Sequence, residues 1–314
     1  MNPRLAWAAA APRWRAYLEL TKPRVVALML FTAFVGMVLA PHDGPPWAAL
    51  IFGSAGIALM AASGAAANHL IDARVDALMA RTRARPLPRG ALRSAQVAGF
   101  AAVLGAIGTA LLLAFTNTLC ALLTLASLVG YAGVYSLWLK RATPHNIVIG
   151  GAAGAAPPLL GWVAVTGQLD PGALLLFLII LVWTPPHFWA LAIHRRDDYA
   201  RAAVPMLPVT HGVAFTSQRI LQYTVVLLLI TAAPFAIGMS GVPYFVGAML
   251  LGGRFVWFAW RLRRDVRLAM PTFRYSIIYL FGLFALLLAD HYLAALAHAS
   301  AFWSSLAGAF GSIG

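Results

Sequence analysis

The stretch from 68 to 86 reads NHLIDARVDALMARTRARP, and its amide and acidic side chains recur every fourth residue. Asn68, Asp72 and Asp76 are spaced i, i+4, i+8, so on a continuous helix they form one stripe, each about 6 Å above the last. Oxygen ligands in such a row suit a hard cation. Mg2+ takes one or two carboxylates, keeps several waters and shares the rest of its shell with substrate phosphates. Arg81, Arg83 and Arg85 follow directly and offer forked donors to the remaining phosphate oxygens. The chemistry this pattern fits is capture of a metal diphosphate. A plainer reading competes with it: a charged helix end at a membrane surface, with Asp72 paired to Arg74 or Arg81. Against that stands the cost of burial, because Asn68 and Asp72 lie at the margin of an apolar segment, where ionisable groups mark functional sites by default.

A second polar stretch, WTPPHFWALAIHRRDDYARAAVPMLP, places His187, Leu191, His194 and Asp198 at helical spacing. That face carries two imidazoles and a carboxylate toward the same end of the molecule as the first stripe. Pro185 and Pro186 just before it predict a break or kink, as transmembrane helices show around cavities. The bland alternative for either histidine is a packed, hydrogen-bonded core residue. Lys22 and Arg24 in LELTKPRV, and Lys140 and Arg141 in YSLWLKRATPHN, are further cations within reach of phosphate, with snorkelling as their ordinary role. The Gly150 to Pro158 run lacks the features of a phosphate-binding loop and reads as close helix packing. Asp290 and His291 lie deep in the last apolar run, nearer the other side, as a buried polar pair or a minor functional group, with no role assigned.

The elements that must position these groups are membrane helices. The chain of 314 residues is 61% hydrophobic and 10% charged, with mean hydropathy +0.81, and its apolar runs match the roughly 20 residues that cross a hydrocarbon core. Period-two alternation, the mark of a membrane barrel, is missing. The fold class is therefore all-α integral membrane, with nine expected spans at about 25–40, 47–71, 96–115, 119–139, 146–165, 172–193, 219–239, 243–260 and 275–297. Residues 1–24 read as a cytoplasmic or interfacial arm and 298–314 as a tail on the other side. The Ala-rich start is too short for a signal-peptide core.

Charge placement sets the topology. Threading the spans alternately gathers the Lys and Arg residues on one side, while the loops PHDGPP, TNT, TGQLDPG and GMSGVPY carry none; the N-terminus is thus expected in the cytoplasm. The net charge of +14 is read as topology, with anionic membrane lipid as partner rather than nucleic acid. The two longest connections, about 72–95 and 194–218, share that side, so the site is expected there. Cys120, the only cysteine, excludes a disulfide framework and a thiolate metal site.

The blocks NHLIDARVDALMARTRARPL, YSLWLKRATPHNIVIGGAAGAAPPLLGW, WTPPHFWALAIHRRDDY and VPMLPVTHG together resemble the protohaem IX farnesyltransferase (haem O synthase) family of the UbiA-type intramembrane prenyltransferases. The resemblance runs from LELTKPRV to the last span. It implies nine helices around a central cavity and a reaction in which farnesyl diphosphate alkylates a vinyl group of haem B, giving haem O and diphosphate with Mg2+ as cofactor. It further implies that Asn68, Asp72 and Asp76 hold the metal, that Asp72, Asp76 and Asp198 are catalytic, and that Arg81, Arg83 and Arg85 bind diphosphate, to which Lys22, Lys140 and Arg141 are added as diphosphate-binding candidates from their positions at the same end. The chain departs from the wider superfamily at His194, where that pattern has an aspartate four residues before Asp198, so His194 joins His187 as a candidate for haem. Pathway logic adds a haem A synthase or an oxidase assembly factor as a partner. A quinone-precursor prenyltransferase shares the first motif, and a transporter or haem-handling protein without catalysis would use the same charges to bind an anion.

Overall fold

The computed structural model describes residues 13–79 and 82–311, with side chains for all of these except Arg141 and 297–311, and no strand occurs among them. Nine principal helices follow in chain order: α1 Pro23–Leu39, α2 Ala49–Leu78, α3 Ser94–Phe115, α4 Thr118–Leu139, α5 Asn146–Thr166, α6 Pro171–His194, α7 Gly212–Ile230, α8 Val242–Leu262 and α9 Ala269–Gly311. Eight segments among the described residues are long and apolar enough to cross a bilayer. A ninth is completed when α1 is joined to the preceding helix Arg13–Leu20, from which it bends by 46°.

Where helix boundaries differ from the hydropathy reading, local hydrogen bonding is the reason. α7 begins at Gly212 rather than near 219, because Thr216 and Ser217 return their hydroxyls to Gly212 O and Ala214 O at 2.8 and 2.9 Å. α9 begins at Ala269 rather than 275, with Thr272 bonded to Leu268 O and Ser276 to Phe273 O. A hydroxyl satisfied by its own helix no longer needs water, so polar residues sit in the spans without interrupting them. α2 runs on to Leu78, past the apolar edge expected at 71, and so keeps Asp72 and Asp76 helical. No break occurs at Pro185 and Pro186: α6 is continuous from Pro171 to His194. The two rings remove the donors for the carbonyls four residues back, and Thr184 braces the turn before them by bonding Ile180 O at 2.8 Å.

The Gly150 to Pro158 run is part of α5, and its small residues allow close helix crossing. A Cβ on Gly161 would stand 2.0 Å from Ala33 O, and one on Gly36 would stand 2.1 Å from Pro158 O, so α1 and α5 touch backbone to backbone. Phe31 of α1 stacks on Phe281 of α9 at 4.6 Å, which joins the first span to the last. Far along α9, buried Asp290 accepts from Gly241 N at 2.6 Å and from Tyr244 N at 3.3 Å. It thus satisfies orphan amides at the start of α8 and is a helix cap supplied from a neighbouring helix.

Met79, at the end of α2, shares a buried cluster with Ile147, Trp189, Tyr199, Val204 and Leu262. The end of α2, the start of α5, the segment after α6 and the end of α8 therefore meet at one end of the bundle.

Candidate functional site

α2 presents Asn68, Asp72 and Asp76 on one continuous helical face, and all three are buried, Asp72 to 2% exposure. Three cations from three other segments close over them. Lys22 Nζ donates to Asn68 Oδ1 at 2.7 Å, Lys140 Nζ to Asp72 Oδ2 at 2.6 Å, and the Arg85 guanidinium to Asp76 Oδ2 at 2.6 Å. Asn68 ties the row together, its Nδ2 donating to Asp72 Oδ2 at 2.8 Å and to Ser136 Oγ at 3.0 Å. Lys22, Arg85 and Lys140 outweigh the two carboxylates, so the cluster carries an excess of positive charge and attracts an anion.

Each donor arrives by a particular local structure. Lys22 occupies the bend before α1 with φ 49° and ψ 57°, a left-handed conformation that costs a side-chain-bearing residue roughly 1–2 kcal/mol. Arg85 is delivered by a folded-back loop, in which Thr82 N and Arg83 N both bond Met79 O at 3.0 Å and Thr82 Oγ1 bonds Asp76 O at 3.0 Å. Lys140 and Ser136 depend on a change of winding: α4 passes from α to π helix over Gly130–Leu139. Such segments are rare and frequent at functional sites. Here Ser136 Oγ donates to Tyr131 O five residues back, at 2.9 Å, and is held to receive Asn68.

One atom in the network is left over. Asp72 Oδ1 is buried and has no hydrogen-bonding partner among the described residues, an arrangement that is unfavourable unless something fills it. A hard cation accepts such an oxygen as ligand, so the residues present fit Mg2+. The Asn68 oxygen, in contrast, is engaged by Lys22.

Of the residues singled out in the sequence, Asn68, Asp72, Asp76, Lys22, Arg85 and Lys140 are brought together. Arg83 is exposed and takes no part in this network. Arg81 lies outside the described residues, as does the side chain of Arg141. Asp198 is buried but engaged by Arg201, and by Arg195 at 3.7 Å. Among the described residues no three His, Cys, Asp or Glu side chains converge as a metal cluster. The two histidines of α6 have different surroundings, His187 buried and His194 exposed at the helix end.

Sequence reasoning missed Ser136, Tyr131, Tyr135 and His69. Tyr131 lies within electrostatic reach of Asp72, Asp76 and Arg85, and Tyr135 within reach of Asp72 and Tyr199. His69 is 2% exposed, neither ring nitrogen has a partner among the described residues, and Lys22 and Arg85 are its charged neighbours. The signal for His69 was its place beside Asn68. Nothing in the sequence marked the π winding that brings the others in.

Comparison with known proteins places the chain among relatives. Residues 29–281 match the UbiA prenyltransferase family. The chain is 61% identical to a protoheme IX farnesyltransferase of Azotobacter vinelandii over 282 residues, 89% of this chain and 94% of that one. Its fold is similar to a solved digeranylgeranylglyceryl phosphate synthase, with TM-score 0.74 and 17% identity over 89% of this chain and 98% of the other. It is also similar to a UbiA homolog from Archaeoglobus fulgidus bound to DMAPP and Mg2+, with TM-score 0.59 and 17% identity, covering 86% of this chain and 98% of that one.

Proposed function

This chain belongs to the UbiA prenyltransferase family, and from that premise we propose that it transfers the farnesyl group of farnesyl diphosphate to a vinyl group of haem B, giving haem O and diphosphate. The observation that carries the diphosphate half of this reading is the buried row on α2, with Asp72 Oδ1 unpartnered and Lys22, Arg85 and Lys140 crowded against it. The acceptor half is supported by the 61% identity to a chain named for the same transfer.

The residues divide the work. Asp72 and Asp76 would hold Mg2+, with Asn68 orienting Asp72 and lending its own oxygen once Lys22 turns to phosphate. Bound there, Mg2+ neutralises charge on the departing diphosphate. Lys22, Arg85 and Lys140, joined by Arg81 and Arg141, donate to phosphate oxygens and stabilise the charge that grows as the allylic C–O bond breaks; Arg83, exposed and outside the network, is left without that role. No protein nucleophile is required: the farnesyl cation meets the vinyl carbon, and water adds to the resulting cation and gives up a proton to the released diphosphate, leaving the hydroxyl of the product. Apolar helices around the charged row limit premature capture of that cation by water. Asp198 and the histidines of α6 lie on the second polar segment, which faces the same end. On the distribution of Lys and Arg, that end is the cytoplasmic one of a multi-pass inner-membrane protein.

The test is an assay of purified protein with farnesyl diphosphate, haem B and Mg2+, read by the mass of the porphyrin. A farnesylated, hydrated product is expected. Unmodified haem B here, with prenylation of a quinone-precursor ring in a parallel assay that supplies one, would replace haem by the aromatic acceptor.

A further inference from the structure

Ser276, on α9, holds two aromatic rings of α6 at once. Trp183 Nε1 donates to the Ser276 carbonyl at 2.8 Å, and His187 Nδ1 lies 2.6 Å from Ser276 Oγ. The two rings stack with centroids 4.2 Å apart at 20°. Phe273, one turn earlier on α9, stacks on the imidazole as well, at 4.6 Å and 29°, and Phe188 meets it edge-on at 5.1 Å. The plane of His187 is therefore fixed by its neighbours.

The protons on that ring follow from one further distance. Ser276 Oγ is 2.6 Å from Phe273 O. Two oxygens this close need a proton between them, and a carbonyl has none to give, so the single hydroxyl proton points there. Ser276 Oγ then faces Nδ1 with lone pairs only, and Nδ1 must carry the hydrogen. A neutral imidazole protonated at Nδ1 has a bare lone pair at Nε2. That nitrogen takes part in no hydrogen bond among the described residues, although His187 is only 8% exposed. A histidine whose Nδ1–H is held by an oxygen, leaving Nε2 free, is oriented in the way proteins orient histidines toward a metal.

We infer that His187 Nε2 is the protein ligand to the iron of the haem substrate, and that Ser276 is the residue that positions it. This rests on haem being the acceptor in the function proposed above. The lone pair of Nε2 is donated to iron and no proton is displaced. Coordination grips the porphyrin at its centre and leaves the peripheral vinyl groups, where alkylation occurs, uncovered by that contact. His194 is exposed and has no hydrogen bond among the described residues that would select its tautomer, so of the two histidines of α6 the ligand role falls to His187.

The experiment is a titration of the full chain, in detergent or lipid nanodiscs, with haem B in both oxidation states, read by absorption and by the iron–histidine stretch in resonance Raman spectra. Wild type is expected to show imidazole ligation. His187→Ala loses that signature and weakens haem binding by about tenfold or more, and added imidazole restores the spectrum. Ser276→Ala keeps the ligand but shifts the iron–histidine stretch, because the hydrogen bond at Nδ1 is gone; Ser276→Thr retains the wild-type frequency, and His194→Ala changes nothing. An unaltered ligation spectrum in His187→Ala overturns the assignment, and an unaltered frequency in Ser276→Ala overturns the positioning role even where His187→Ala does not fold. A wild-type protein that farnesylates haem while these variants match it leaves the proposed function standing and removes only this inference. A wild-type protein that neither binds nor modifies haem removes both.

Discussion

Lys140 Nζ meets Asp72 Oδ2 at 2.6 Å, joining the end of α4 to the middle of the α2 carboxylate row. The side chains are 16% and 3% exposed, so each depends on the other for most of its compensation. Deleting one partner of a withdrawn pair leaves a stranded charge, whereas replacing both by apolar groups is close to neutral. Lys140→Met alone is expected to lower stability by about 3 kcal/mol, and Lys140→Met combined with Asp72→Leu to recover most of it. Neither protein turns over. Thermal unfolding in detergent, run beside the product assay, checks both statements.

Loss of a single carboxylate should separate chemistry from folding. Asp76→Ala and Asp72→Asn are expected to reduce turnover by about 100-fold or more while the protein remains monodisperse in detergent. Near-normal product formation in either variant would remove these residues from the reaction.

Ser136 acts at one remove. Its hydroxyl receives Asn68 Nδ2 at 3.0 Å, so Ser136→Ala frees one amide proton at a cost of about 1 kcal/mol and loosens the orientation of Asp72. The expected result is a rise of about tenfold in the Mg2+ concentration needed for half-maximal rate, with a smaller change at saturating metal. A Mg2+ titration of initial rates reads it directly.

Metal removal distinguishes catalysis from simple anion binding. Chelation is expected to stop diphosphate release and porphyrin modification together, and added Mg2+ to restore both. A transporter using Lys22, Arg85 and Lys140 only as an anion trap would be indifferent to the chelator and release no diphosphate.

Much of the molecule was legible from residue types. The count of spans and the stripe Asn68, Asp72, Asp76 follow from apolar run length and a period of four, and Lys22, Arg85 and Lys140 stood out as cations beside apolar segments. Less legible was anything decided by helix winding or by hydroxyls turned inward. Thr216, Ser217 and Thr272 depress hydropathy and so hid the first turns of α7 and α9, yet each hydroxyl bonds the preceding turn. Ser136 looked like an ordinary polar residue in a span until the π segment placed it on Asn68. Asp290, unassigned from sequence, serves as a cap because α8 begins next to it in space.

The π-wound half of α4 makes the site depend on the length of the chain as well as its composition. Ser136 and Lys140 face α2 only because bonding over Gly130–Leu139 runs five residues back instead of four. Removing one residue there, even a lipid-facing one such as Leu137, which is 62% exposed, would let the segment tighten and swing both groups off the carboxylate row, with every charged residue still encoded. Angular phase is thus itself an inherited trait of this centre, one to which a tally of acidic and basic letters is blind.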